Sequence, residues 1–299
     1  SLTNSFRFPQ EIADLGIKVL GLKKLLGQDP KVKITGKGTK ENLKSRATLA
    51  RTNLGLLLRA IDYMEENVPV YGIYFEGNIS GYTYADDGTS LYDVLNLYNK
   101  RFNRVKDQLI KSMKSIEELE EYVKNAEDVQ LGMMVEIVKE YGNEIPRIIK
   151  EIKQLHVGND EREKAEMIFS TVHRSKGMEY DAIQLVNDFI TEEAIEKTLN
   201  DFQKTANIPK LNEEINLLYV AITRTKNSIH IPETLLPKEY PRSSHIHKMR
   251  VKKETDKNDP SVEEIQQVLQ GEYLPGKAHA FDNVRKKYHD AYKPWTVEM

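Results

Sequence analysis

Two short apolar runs separated by a polar segment dominate the hydrophobic pattern of the chain. Residues 168–172 and 182–186 are mostly apolar, and between them stand His173, Arg174, Ser175, Lys176, Gly177, Met178 and Glu179. Short apolar runs bounded by turn signals predict strands of a parallel sheet buried on both faces. The intervening segment then sets cationic donors, a glycine and a carboxylate at a strand's C-terminal end, where open α/β sheets bind ligands. A charged surface loop joining two strands accounts for the same residues.

The same periods organise the rest of the chain. Ile215, Leu218, Tyr219 and Ile222 recur at helical spacing, a stripe that faces a sheet, and Thr223, Arg224 and Lys226 emerge at that helix's end. Residues 227–231 alternate as a strand. Near the start, Phe8 and Pro9 read as the opening of a helix that carries Ile12, Leu15, Val19, Leu22 and Leu26 and stops at Gly27; residues 31–35 read as a strand. A strand over 47–50 runs into Arg51, Thr52 and Asn53, with Asn53 the candidate cap of a helix over 54–65. A strand over 70–75 ends in a turn at Glu76, Gly77 and Asn78. Strand then helix, repeated, predicts a parallel sheet. Residues 90–156 read as helices, one opened by a capping box at Ser115 and Glu118, with a break between Gly142 and Pro146. Residues 190–212 read as polar, helical and superficial, ending near Pro209, and Pro237, Pro241 and Pro260 punctuate the C-terminal stretch. Ser261 and Glu264 form a second capping box, for a helix ending at Gly271.

Composition narrows the function classes. Of 299 residues, 39% are hydrophobic and 30% charged, as in a soluble globular protein with long exposed helices. The net charge of −2 rules out a global basic field, so any nucleic-acid surface must be a local patch. Lys100, Arg101, Arg104, Lys106, Lys111 and Lys114 could form one, or simply a solvated helix face. With no cysteine, disulfides, cysteine-ligated zinc and iron–sulfur clusters are excluded. No run is long and apolar enough to span a membrane, and residues 1–10 carry no signal-peptide pattern. Asp86, Asp87 and Gly88 make a turn rather than a calcium loop. Tyr82 and Tyr84 are candidates for stacking on bases or for packing. His245 and His247 lack carboxylate or thiolate neighbours, so no metal site is expected there. No G-x-x-x-x-G-K-S/T phosphate loop occurs, nor a strand-end Asp-Glu pair to hold magnesium.

Residues 171–180 read T-V-H-R-S-K-G-M-E-Y and residues 217–225 read L-L-Y-V-A-I-T-R-T. They resemble motifs V and VI of the UvrD/Rep family of superfamily 1 DNA helicases, and residues 2–9, L-T-N-S-F-R-F-P, resemble its motif IV. Met178 stands where the family usually has leucine and Thr225 where it has alanine, both mild changes. The variant S-F-R-F, with the segments 121–128 and 140–146, is most similar to the F-box DNA helicase branch, although no F-box is present. The resemblance covers about residues 1–232, and residues 291–298 look like the start of a Pro-Trp-Thr motif from a small Myb-like helical module.

The resemblance implies an α/β fold: a RecA-like parallel sheet forming the second motor domain, with a reduced helical insertion and a helical C-terminal tail. The expected boundaries are 1–98 and 157–232 for the two parts of the RecA-like domain, 99–156 for the insertion and 233–299 for the tail. It implies a function too, ATP hydrolysis coupled to translocation on single-stranded DNA and strand separation, in repair or recombination. Arg7 and Arg224 would be the arginine fingers, Phe6 would stack on adenine, Glu179 would accept a ribose hydroxyl, and Gly177 would admit the nucleotide to the backbone. Arg51, Thr171, His173, Arg174 and Lys176 would contact DNA or couple it to the nucleotide. ATP with Mg2+ is the expected cofactor, its metal held by a first motor domain that carries the phosphate loop. The expected partners are that domain and single-stranded DNA or DNA junctions, in a bacterial-type cytoplasm, nucleoid-associated when on DNA. A non-catalytic RecA-like module that docks DNA or protein is the competing class.

Overall fold

In a computed structural model, residues 2–251 are described apart from 40, 42, 78, 83–89, 127 and 202–204. The elements run β1 (Leu2–Ser5), α1 (Gln10–Gly21), β2 (Lys33–Gly36), β3 (Arg46–Ala50), α2 (Asn53–Glu66), β4 (Ile73–Phe75), α3 (Leu91–Tyr98), α4 (Gln108–Ser112), α5 (Ile116–Ala126), α6 (Val129–Tyr141), α7 (Ile145–Leu155), β5 (Met167–Thr171), β6 (Tyr180–Leu185), α8 (Glu192–Leu199), α9 (Ile208–Ile222), β7 (Thr225–Pro232) and β8 (Ile246–Met249). Six strands form one sheet in the order β4-β5-β3-β6-β7-β8, every neighbouring pair parallel. This is the RecA-like architecture. The strands β5 and β6 are buried at every position because helices cover both faces, and their polar residues Ser170, Thr171, Asp181 and Gln184 are buried with them.

Each face has its own core. On one, α1 and α9 pack through Ile12, Leu15, Leu218 and Ile222 against Leu49, Ile168 and Ile183. On the other, α2 carries Leu57 and Ile61 against Phe75 and Phe169, and α3, α5, α6 and α7 continue the same cluster with Val94, Leu119, Val138 and Ile149. The insertion therefore extends the core of α2 instead of standing apart. Its described elements are helices and helical turns; His156 bridges Ile73 and stacks on Tyr74 and Phe75, and Ile149 shares the core with Phe75 and Phe169.

Several local expectations are corrected. The strand expected over 31–35 pairs with β1 in a separate two-stranded parallel ribbon, outside the main sheet. Only Ile34 of β2 is buried, too little apolar surface for a strand covered on both faces. The ribbon is pinned to the start of α1: a Cβ at Gly36 would lie 2.5 Å from the Pro9 carbonyl oxygen, and the Gln10 side chain accepts from the Gly36 N–H at 2.9 Å. Thr52, not Asn53, caps α2; its backbone is extended and its Oγ1 accepts from the Gly55 N–H at 3.0 Å. Pro209 opens α9 instead of closing the previous helix, since proline lacks only an N–H that the first turn leaves unpaired. Asn207 caps that helix, accepting from the Lys210 N–H at 3.1 Å. Beyond residue 232, where the tail was expected to begin, β8 adds an edge strand whose two central residues stay exposed, as an edge permits. Tyr84, Asp86, Asp87 and Gly88, the Tyr82 side chain, the Ser261 capping box and the Pro-Trp-Thr segment lie outside the described residues.

Candidate nucleotide and DNA site

Helix α9 spans 15 residues, about 22 Å, and links the two ends of the site. At its C-terminal end Thr223 returns its hydroxyl to the Tyr219 and Val220 carbonyls at 3.0 and 3.1 Å, and the next residue is Arg224. Arg7 precedes α1, and α1 lies close against α9: a Cβ added at Gly16 would stand 3.0 Å from the Tyr219 ring. That contact brings residues from opposite ends of the described chain together.

The two arginines line one open cavity of about 320 Å³, with Phe8, Val32, Ile34 and Tyr219 among its walls. Arg7 donates from Nε to Glu179 Oε1 at 2.5 Å and from Nη1 to the Thr223 carbonyl at 3.3 Å. Arg224 donates from Nε to the Val220 carbonyl at 3.0 Å and from Nη1 to the Met178 carbonyl at 3.4 Å. Lys226 Nζ stands 3.9 Å from the second oxygen of Glu179. Arg7 and Lys226 thus meet one carboxylate, and Arg224 only feels its charge. Burial, then the charge of Arg7, pull the Arg224 guanidinium below its ordinary value, with Glu179 opposing. A second anion in the cavity would relieve that cost, and arginine forks match phosphate geometry. Phe6 stands beside this group with its ring 74% exposed and the Lys37 ammonium 5.6 Å from its centroid. Gly177 has φ +85, a conformation that side chains disfavour, while a Cβ there would meet nothing within 4 Å. The glycine serves the turn that presents Met178 and Glu179.

The other expected residues gather elsewhere. Thr171 ends β5 and is buried, its carbonyl accepting from the Arg174 and Ser175 N–H groups at 3.1 and 3.0 Å. His173 and Lys176 are exposed. Burial, then the charges of Arg51 and Lys176, hold the His173 imidazole below its ordinary value. Arg51 follows β3 and makes a two-pronged pair with Glu214 of α9, at 2.8 and 2.7 Å. Arg174 lies across the turn after β4, donating to the Glu76 carbonyl at 3.3 Å. Arg51, His173, Lys176 and Glu214 therefore form a cluster at the N-terminal part of α9, and Arg7, Glu179 and Arg224 form one at its C-terminal end. Among the described residues no group of three or more His, Asp or Glu side chains could hold a metal ion. His245 is held by the Asn227 carbonyl at 2.9 Å, and His247 stacks on His230 at 4.5 Å.

The family model of the UvrD-like helicase C-terminal domain matches residues 32–234, a stretch from β2 to just beyond β7. The chain belongs to this family. It is 26% identical over 252 residues to "F-box DNA helicase 1" of Gallus gallus, covering 78% of this chain and 24% of that protein. It is 28% identical over 253 residues to "F-box DNA helicase protein 1" of Schizosaccharomyces pombe, covering 78% of this chain and 27% of that protein. The chain thus spans about a quarter of the length of the curated relatives it matches. The resemblance read from residues 171–180 and 217–225 is borne out, down to the F-box branch.

Within this UvrD-like domain, three residues of the site escaped sequence reasoning. Glu214 pairs with Arg51. Asp188, just after β6, accepts from the Arg51 and Thr52 N–H groups at 2.8 Å each and from Thr52 Oγ1 at 2.8 Å. Its carboxylate also fills the space beside Gly55, where a Cβ would collide with it. Glu76 is 5% exposed and paired with Arg162. A lone acidic residue at a strand's end gave the only signal for Asp188 and Glu76, and their partners lie about a hundred residues away.

Proposed function

We propose that this domain supplies the second half of an ATP site in a DNA helicase, and that it acts with a motor domain carrying the phosphate loop. One observation carries the proposal: Arg7 and Arg224 line a single cavity that no carboxylate among the described residues lines, with Glu179 pairing Arg7 from outside it. Two guanidinium groups suit the terminal phosphates of a nucleoside triphosphate, where charge develops during transfer. The exposed ring of Phe6 suits stacking on a base. Glu179 orients Arg7 and, turned toward a nucleotide, accepts a ribose hydroxyl. ATP bound with Mg2+ would supply the phosphoanhydride to be split, and the metal's ligands would come from the phosphate-loop domain. Arg51, His173 and Lys176 gather near Glu214 in the first half of α9, Arg174 lies on the turn after β4, and these cations suit contacts to the phosphates of a single strand.

The test is complementation. The purified chain alone should hydrolyse ATP at background rate with or without single-stranded DNA. The same chain joined to a superfamily 1 phosphate-loop domain from an F-box helicase should show DNA-stimulated turnover. Binding of DNA with no turnover in the joined protein would overturn the proposal in favour of a non-catalytic docking module.

A further inference from the structure

The geometry points to Glu76 as a positioning residue that ties the DNA-facing start of the 172–179 segment to its nucleotide-facing end. The inference rests on the helicase reading above and deepens it. The segment leaves β5 with Arg174 and enters β6 with Glu179 and Tyr180, and both flanks return to Glu76. At the start, Arg174 donates to the Glu76 carbonyl at 3.3 Å. At the end, Tyr180 is fully buried and donates its hydroxyl to Glu76 Oε1 at 3.0 Å. Tyr180 adjoins Glu179, the carboxylate that orients Arg7. Its N–H is fixed by the Arg224 carbonyl at 3.0 Å. One buried residue at the end of β4 thus holds the Arg174 side and, through one tyrosine, the Glu179–Arg224 side.

The surroundings favour rigidity at this point. Arg162 pairs with Glu76 Oε1 and lies 5.7 Å over the rings of both Tyr74 and Tyr180. The Glu76 N–H continues the ladder to the Phe169 carbonyl at 2.9 Å, so the residue cannot drift from β5. Gly77 has φ +86, and a Cβ there would collide with the Arg174 guanidinium. Gly81 leaves room for the same guanidinium, 3.1 Å from where its Cβ would be. The turn after β4 is therefore shaped around Arg174. A displacement of Arg174 by a DNA phosphate would pull on Glu76, and through the buried hydroxyl on Tyr180. Packed, hydrogen-bonded chains of this kind can carry coupling between sites.

The experiment compares Tyr180→Phe and Glu76→Gln with wild type in the helicase joined to its phosphate-loop domain. Tyr180→Phe removes only the hydroxyl that reaches Glu76. The readout is DNA stimulation, the ratio of ATP turnover with saturating single-stranded oligonucleotide to turnover without it. Both variants should lower this ratio by about threefold or more, while ATP and oligonucleotide affinities measured separately change less than about twofold. Thermal melting separates folding from coupling: a Tyr180→Phe variant that melts like wild type and still loses stimulation supports the inference. An unchanged ratio in a folded Tyr180→Phe variant overturns it. So does a loss that appears equally with and without DNA, since that marks general damage. If Arg224→Ala abolishes turnover while the Tyr180→Phe ratio stays intact, the helicase reading stands and only the Glu76 tie fails; full turnover in Arg224→Ala sinks the helicase reading itself.

Discussion

Arg51 and Arg224 are tied to the same helix and meet opposite electrostatic fates. Arg51 is answered: Glu214 of α9 binds it with two hydrogen bonds, and that pairing holds its guanidinium above its ordinary value. Arg224 is unanswered in charge: its hydrogen bonds go to backbone carbonyls and a hydroxyl, and burial and Arg7 depress it. Carbonyls orient a guanidinium without neutralising it. An arginine with a carboxylate of its own is already at rest, and DNA must compete with Glu214 to use it. An arginine held by neutral dipoles beside a second cation is poised for an anion from outside. On the proposed reading, the difference separates an arginine already paired with a carboxylate from one open to a phosphate.

The largest expected effect breaks the comparison at its catalytic end. Arg224→Ala, in the protein joined to its phosphate-loop domain, should lower turnover by about 10³-fold or more, as removal of an arginine finger does. ATP affinity should fall far less, because the finger acts on charge that develops in the transition state. Steady-state kinetics with a separate nucleotide-binding titration reads both. A loss of affinity equal to the loss of rate would reduce Arg224 to a ground-state ligand.

Much of this contrast was legible in sequence at one end only. Arg224 and Glu179 sit inside local patterns, a helix stripe ending in a cation and a glycine turn ending in a carboxylate, although Arg7 reaches Glu179 from 172 positions away. Arg51 was legible as a strand-end cation, but its partner Glu214 is 163 positions away on a helix where Glu213 stands beside it as a second candidate. The buried strands 47–50, 168–172 and 182–186 were found within two residues because an apolar run covered on both faces has one reading. Edge strand β8 was not found, since half its positions face solvent and its short run has no clear period. The strand over 31–35 was legible but not its pairing with β1, because a strand's pattern gives its burial, not its neighbour.

The next effect concerns the backbone beneath Arg51. Burial pushes the Asp188 carboxyl up to about 6, against the N–H donors of Arg51 and Thr52 and the Thr52 hydroxyl, which favour the charged form. Its ordinary value is 3.8. The folded state therefore holds this proton more tightly than the unfolded chain does. The stabilisation that uptake provides is fully present below the ordinary value and is lost as pH rises through about 6, where it levels off. Two units of separation correspond to about 3 kcal/mol at most. Asp188→Asn resembles the protonated form and lacks the titration. Urea unfolding of both proteins across that window should show wild type losing ground to the variant as pH rises. Parallel profiles would mean that the donors, not burial, govern Asp188.

The smallest effect sharpens the comparison at the Arg51 end. Glu214→Gln keeps the shape of the side chain and one acceptor but removes the charge that answers Arg51. Both partners are mostly covered, with side-chain exposures of 28% and 16%. Loss of one charge-assisted prong from a part-buried pair should therefore cost about 1 kcal/mol in unfolding free energy. The same change turns Arg51 into a cation held by weaker dipoles, the situation of Arg224. Oligonucleotide affinity should then rise modestly, with a steeper dependence on salt, because Arg51 no longer has to be taken from Glu214. The two readouts point in opposite directions, stability down and DNA affinity up, which a simple loss of packing cannot produce. A Glu214→Gln protein that loses stability and DNA affinity together would show that the pair positions Arg51 for DNA instead of withholding it.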